Sequence, residues 1–167
     1  MNTGTLVASL IMAALLLVLI ILMFRAMMRG WKRRALEQGP VIGALPPLPD
    51  DVGPAVIPEM TGLYVGSAFA PDRLERIAGS DLGDGAKAVL TRHSQGIMLT
   101  RRGVRSLWIP DESITSIRTE RFVAGRVAAR DGILAIRWRL PSGMEIDTGF
   151  RGDDRGEYPD WLEADSE

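Results

Sequence analysis

The chain's single histidine, His93, stands beside a serine in "TRHSQG", and that pair is the first candidate for a base and its nucleophile. A Ser-His-Asp triad needs the base within hydrogen-bond reach of the nucleophile and a carboxylate behind the base. On an extended chain neighbouring side chains point to opposite faces, so Ser94 is expected to point away from His93. An exposed turn histidine is the expected role. One histidine and no cysteine exclude the usual zinc ligand sets, and with them disulfides, iron–sulfur clusters and thiol nucleophiles.

Other spacings resemble known chemistry only in part. "GSDLGDGAK" at 79–87 has the glycines of a phosphate loop but not its glycine-lysine-hydroxyl ending, and a strand rather than a helix follows. "DLGDG" at 81–85 lacks the alternating oxygen ligands of a calcium loop. The carboxylate pairs Asp50–Asp51, Asp111–Glu112 and Asp153–Asp154 lie in turns, where no apolar pocket would split their pKa values for acid–base work. Trp108, Trp138 and Phe150 could line a cleft, although at strand period they read first as core. The expectation is a protein without a catalytic, cofactor or metal site. Its candidate binding surface is the most basic stretch of the folded part, "SIRTERFVAGRV", with Arg118, Arg121 and Arg126.

The elements that must carry these residues follow from hydropathy. Leu6 to Phe24 are 19 uncharged, mostly large apolar residues, enough for a helix across the ~30 Å hydrocarbon core of a bilayer. A cleaved signal peptide would start with positive charge, have a shorter apolar run and end in small residues. This stretch starts uncharged, runs longer, and is followed by bulky basic residues. An uncleaved anchor over 6–28 is therefore expected behind a short outer tail, 1–5. Ser9 and Ala13, four apart, give only a weak small-residue dimerisation pattern.

The five basic residues of the first 34, Arg25, Arg29, Lys32, Arg33 and Arg34, all come after the apolar run, and no acidic residue accompanies them. Basic flanks are retained on the cytoplasmic side during insertion. The expected topology is single-pass in the plasma membrane, N-terminus outside and the rest cytoplasmic. Trp31 would sit at headgroup level among those basic residues, and 29–38 forms a basic juxtamembrane segment. The remainder of the chain keeps 15 of the 20 basic residues and all 21 acidic ones, a net of −6. Nucleic acid is not an expected partner of such a domain, which lacks a basic face of its own.

Residues 39–59 hold six of the ten prolines and three glycines. Proline removes backbone donors and fixes φ, so neither a helix nor a central strand is expected there, and 39–59 reads as a semi-extended linker, either a free spacer or one whose valines and leucines dock on the domain. From 60 to 167 the period changes to two. In "ILAIRWRLPSGMEIDTGF" (133–150), a three-residue turn would pair Leu140 with Met144, Trp138 with Ile146 and Ile136 with Thr148. The opposite face would then set Arg139 against Glu145 and Arg137 against Asp147, so both faces agree on one register. Further strands are expected at 61–68, 86–92, 96–101, 104–109 and 113–120, with a short helix at 71–79 and another from Pro159. About seven short antiparallel strands define a small β barrel or sandwich with one core.

The order "GLYVGS", "DRLERIAGSDLG", "LWIPDESI", "AGRV", "WRLPSGMEIDTGFR" and "DWLE", behind one N-terminal span, resembles a family of actinobacterial single-pass membrane proteins. These carry a bacterial pleckstrin-homology-like (PH-like) domain and are often labelled export, transporter or membrane proteins. The resemblance covers residues 6–28 and about 60–162. It implies two nearly orthogonal antiparallel sheets closed by a C-terminal helix, and it implies no activity. The function expected is a membrane-anchored module that docks a protein partner. Anionic lipid-headgroup binding, or service as an accessory subunit of a transport or export complex, are the alternatives.

Overall fold

The computed structural model describes residues 3–70, 75–77, 81–128 and 132–163, and within the first helix the side chains of 31–32 and 34–41 fall outside that description. Helix α1 runs from Thr3 to Ile42. Its stretch Thr3–Gly30 is long and apolar enough to cross a membrane, and none of it is buried against the rest of the chain. The helix does not stop at residue 28, nor at Pro40. A proline in a last turn forfeits one hydrogen bond and constrains its neighbour without forbidding the turn. The stop comes at Gly43, whose φ of 66° gives the left-handed residue that commonly follows a helix.

Strand β1, Ala55–Phe69, also begins earlier than the period-two reading implies and includes Pro58. The proline is accommodated where the register with the next strand slips, between Ile57 and Met60. The segment outside regular structure is thus 43–54, and it is docked rather than free. Ile42 and Pro46 are buried, and Leu45 packs against the main core.

The other strands are β2 (Ala86–His93), β3 (Gly96–Arg101), β4 (Leu107–Pro110), β5 (Ile114–Glu120), β6 (Phe122–Val123), β7 (Arg126–Val127), β8 (Ile133–Arg139) and β9 (Glu145–Gly152). Seven of them form one antiparallel sheet in the order β4-β3-β2-β1-β9-β8-β5. Its pivot is β1. Residues 55–64 pair with β2 and residues 62–69 with β9, and Tyr64 pairs with both Ala86 and Phe150. A register shift between Tyr64 and Gly66, with Gly66 at φ 120°, re-aims the strand where it passes from one partner to the other. The inner residues of both halves, among them Leu90, Leu99 and Ile109 on one side and Ile136, Trp138 and Phe150 on the other, then share one core. A 3₁₀ turn at Arg155–Glu157 leads into α2, Tyr158–Glu163, whose Trp161 is fully buried in that core.

The β8–β9 hairpin has the register its sequence dictates. Trp138 pairs with Ile146, Ile136 with Thr148, Arg137 with Asp147 and Arg139 with Glu145, and the Leu140 N–H donates to the Met144 carbonyl at 2.8 Å. Three expectations change. The strand expected at 104–109 is shorter and later. The helix expected at 71–79 falls largely outside the described residues, and within them Arg76 makes an antiparallel bridge to Ala68. The single core becomes two clusters, because the β6–β7 hairpin folds over the outer face of the sheet and buries Val65, Ile133 and Ala135 beneath Val123 and Ala124.

Candidate functional site

Where α1 ends, the docked segment 43–54 meets the β2–β3 turn and the end of β4, and between them lies an open groove of about 580 Å³. Pro46, Pro47 and Pro49 form one wall. Trp108 and Pro110 of β4, Ser94 and Gln95 of the turn, and Asp111 and Glu112 complete the lining. Strand alternation cannot foretell this assembly, since the prolines reach it only through the tertiary docking of their segment. Trp108 is held by close packing: a side chain at Gly96 would place its Cβ 2.8 Å from the Trp108 ring.

His93 is part of this support. Its Nδ1–H donates to the Gly53 carbonyl at 3.0 Å, and its ring lies 6.4 Å from that of Trp108, tilted by 47°. The imidazole thus ties the docked segment to the sheet, and Ser94 lies on the groove instead of partnering it. Arg92 donates to Asp111 Oδ1 at 2.5 Å, while its other terminal nitrogen is buried with no hydrogen-bond partner among the described residues. Glu112 is exposed.

The remaining conspicuous polar groups serve the fold. Asp147 is fully buried on the outer face of the β5-β8-β9 sheet half and accepts hydrogen bonds from Arg137 Nε at 2.9 Å and Arg118 at 2.7 Å. Burial works to raise its pKa, but the two guanidinium groups outweigh it and hold the carboxyl below the ordinary aspartate value. Within the core, Trp138 Nε1 donates to Thr148 Oγ1, Thr148 bonds Ser67, and Ser67 bonds the Tyr64 hydroxyl, each at 2.9 Å; that hydroxyl donates to the Leu82 carbonyl at 2.5 Å. Burial pushes Tyr64 up to about 12. Arg101, 4% exposed, lies 5.0 Å over the Tyr64 ring and donates to the Arg105 and Asp81 carbonyls, pinning two loops.

The structure separates the residues expected to form a binding surface. Arg118 is committed to Asp147 and to Glu120 at 2.8 Å. Arg121 lies exposed in the bend before β6, and Arg126 is exposed in β7 beside Gly85. Trp138 and Phe150 are core, and Trp108, only 6% exposed, is buried too while contributing to the groove's lining. Of the basic flank, Arg25, Arg29 and Arg33 are exposed on α1, and the side chains of Trp31, Lys32 and Arg34 lie outside the described residues. The carboxylate pairs are turn residues: Asp51 accepts from Gly53 N, Asp153 from Thr61 Oγ1 and Asp154 from Gly156 N.

One continuously hydrogen-bonded, two-faced antiparallel sheet closed by a short C-terminal helix is a PH-like architecture. Residues 42–166 match the bacterial PH domain-like family, so the chain belongs to that family. The match begins at Ile42, the residue at which α1 enters the core. No curated protein matches the chain.

Proposed function

We propose that this protein is a membrane-anchored, non-catalytic interaction module whose PH-like domain docks a protein partner on the cytoplasmic face of the plasma membrane. The observation that carries the reading is the groove at the point where the membrane helix joins the domain. A partner bound there is coupled directly to the anchor. Charge supports the orientation, since the basic residues flank only one end of the apolar helix. The proposed division is an outer tail at 1–5, a span at 6–28 and a basic juxtamembrane segment at 29–38, with the connecting region expected at 39–59 taken into the domain from Ile42 onward.

Edge geometry favours the groove over strand addition. The sheet edges are β4 and β5. β4 has four residues and ends in proline, and β5 carries a register irregularity, an arginine and a glutamate. Short, kinked and charged edges discourage a further strand.

The test is photo-crosslinking of the full chain in its native membranes, with the reactive residue placed in turn at Gln95, Glu112, Arg121 and Arg126. Discrete protein adducts from Gln95 and Glu112 are expected. Lipid adducts confined to Arg121 and Arg126 would favour the second reading, headgroup binding, which those two exposed arginines support. Absence of any protein adduct would overturn docking.

A further inference from the structure

The occupant of the groove can be narrowed by its chemistry, granted that the domain docks a protein. We infer that the groove takes an arginine-bearing, extended segment of the partner. Proline supplies much of the lining, and proline has no N–H to offer a peptide backbone. Recognition there must come from side chains. An arginine suits both surfaces. Its methylene stem can lie along the accessible rings of Pro47, Pro49 and Pro110, and its planar fork matches a carboxylate in two parallel hydrogen bonds.

The carboxylates are placed for that contact. Glu112 lines the groove and is exposed, and no salt bridge to it is found among the described residues. Asp111 is half exposed and shares one oxygen with Arg92. The domain as a whole is acidic, so an anionic segment, a phosphate-rich chain or an anionic headgroup would meet repulsion at this face. The volume of 580 Å³ accommodates side chains rather than a folded element.

The experiment uses the full chain in detergent micelles and a fluorescent octapeptide of alternating arginine and proline, the prolines keeping the probe extended. Fluorescence anisotropy should show saturable binding, weaker for the lysine–proline peptide and absent for the glutamate–proline peptide. Glu112→Lys should weaken the arginine peptide about tenfold, and Glu112→Gln less, as expected for loss of a charge-assisted hydrogen bond. Asp160→Lys, an equal charge change at an exposed residue of α2 outside the groove, should leave binding within about twofold. Equal weakening by Glu112→Lys and Asp160→Lys would reduce the effect to net charge and overturn the inference. So would equal binding of arginine and lysine peptides, or no binding at all. If the peptides fail while Gln95 still crosslinks to a protein, only the arginine chemistry falls. If that crosslink is also absent, docking itself falls.

Discussion

At the scale of single residues, the domain uses its buried polar groups to fix one arrangement of the sheet, and two of them make stability depend on pH in opposite directions. Asp147 has a folded pKa below its unfolded one, so its contribution is present above about pH 4 and lost as pH falls through the folded value. Asp147→Asn should cost about 3 kcal/mol at neutral pH, because two arginines then lose their buried counter-ion. In chemical-denaturation series from pH 7 to pH 2, the gap between variant and parent should narrow in acid. Tyr64 is the reverse case. Its pKa is raised from 10.0 to about 12, so the stability it contributes is complete below pH 10 and is lost as pH climbs through that window. Replacing it by phenylalanine should remove that alkaline loss, worth about 2–3 kcal/mol for a shift of this size, while lowering stability at neutral pH by about 1–2 kcal/mol. Equal alkaline slopes for parent and variant would refute the role given to the hydroxyl.

At the scale of elements, the long apolar helix and the domain are not separate parts joined by a loose string. Ile42 closes the helix and is 4% exposed within the domain core. Ile42→Ala in the full chain should therefore lower stability by about 2–4 kcal/mol, the usual cost of emptying a core position. A thermal melt of the micellar protein followed by tryptophan fluorescence reads this directly, and an unchanged midpoint would restore the free linker. Beginning the chain at Ala55 should be worse still, since Leu45 and Pro46 would leave with Ile42. The β6–β7 hairpin has an equally local duty, covering Ile133 and Ala135 on a face that would otherwise be apolar and wet.

At the scale of the molecule, the proposed anchoring would make the length of α1 the measure of how far the domain stands from the bilayer. The apolar stretch of 28 residues spans about 42 Å, and the twelve further residues to Ile42 add about 18 Å of helix. The orientation can be tested without background because the chain has no cysteine. A cysteine at Thr3 in one variant and at Ser166 in another provides a unique thiol for an impermeant reagent applied to intact cells. Labelling of the Thr3→Cys variant alone is the expected result. Labelling of Ser166→Cys instead would place the domain outside and make its partners envelope components.

Much of this was determined by sequence alone, wherever the determining forces are local. Nineteen uncharged residues set a helix whatever surrounds them, and the alternation through Trp138 and Ile146 fixes a hairpin register because a one-residue slip would turn every apolar side chain to the wrong face. The tertiary structure decided what depends on distant partners. Pro46 is buried only because its segment lies against the β2–β3 turn and the end of β4, far along the chain from it. Arg118, which reads as a free surface cation, is spent on Asp147 across the strands. Ala135 looks solvent-facing until the β6–β7 hairpin covers it. The groove has no motif, because its walls come from three separate stretches of chain, 46–49, 94–95 and 108–112, whose residue types are ordinary and whose meeting is set by the packing of the whole domain.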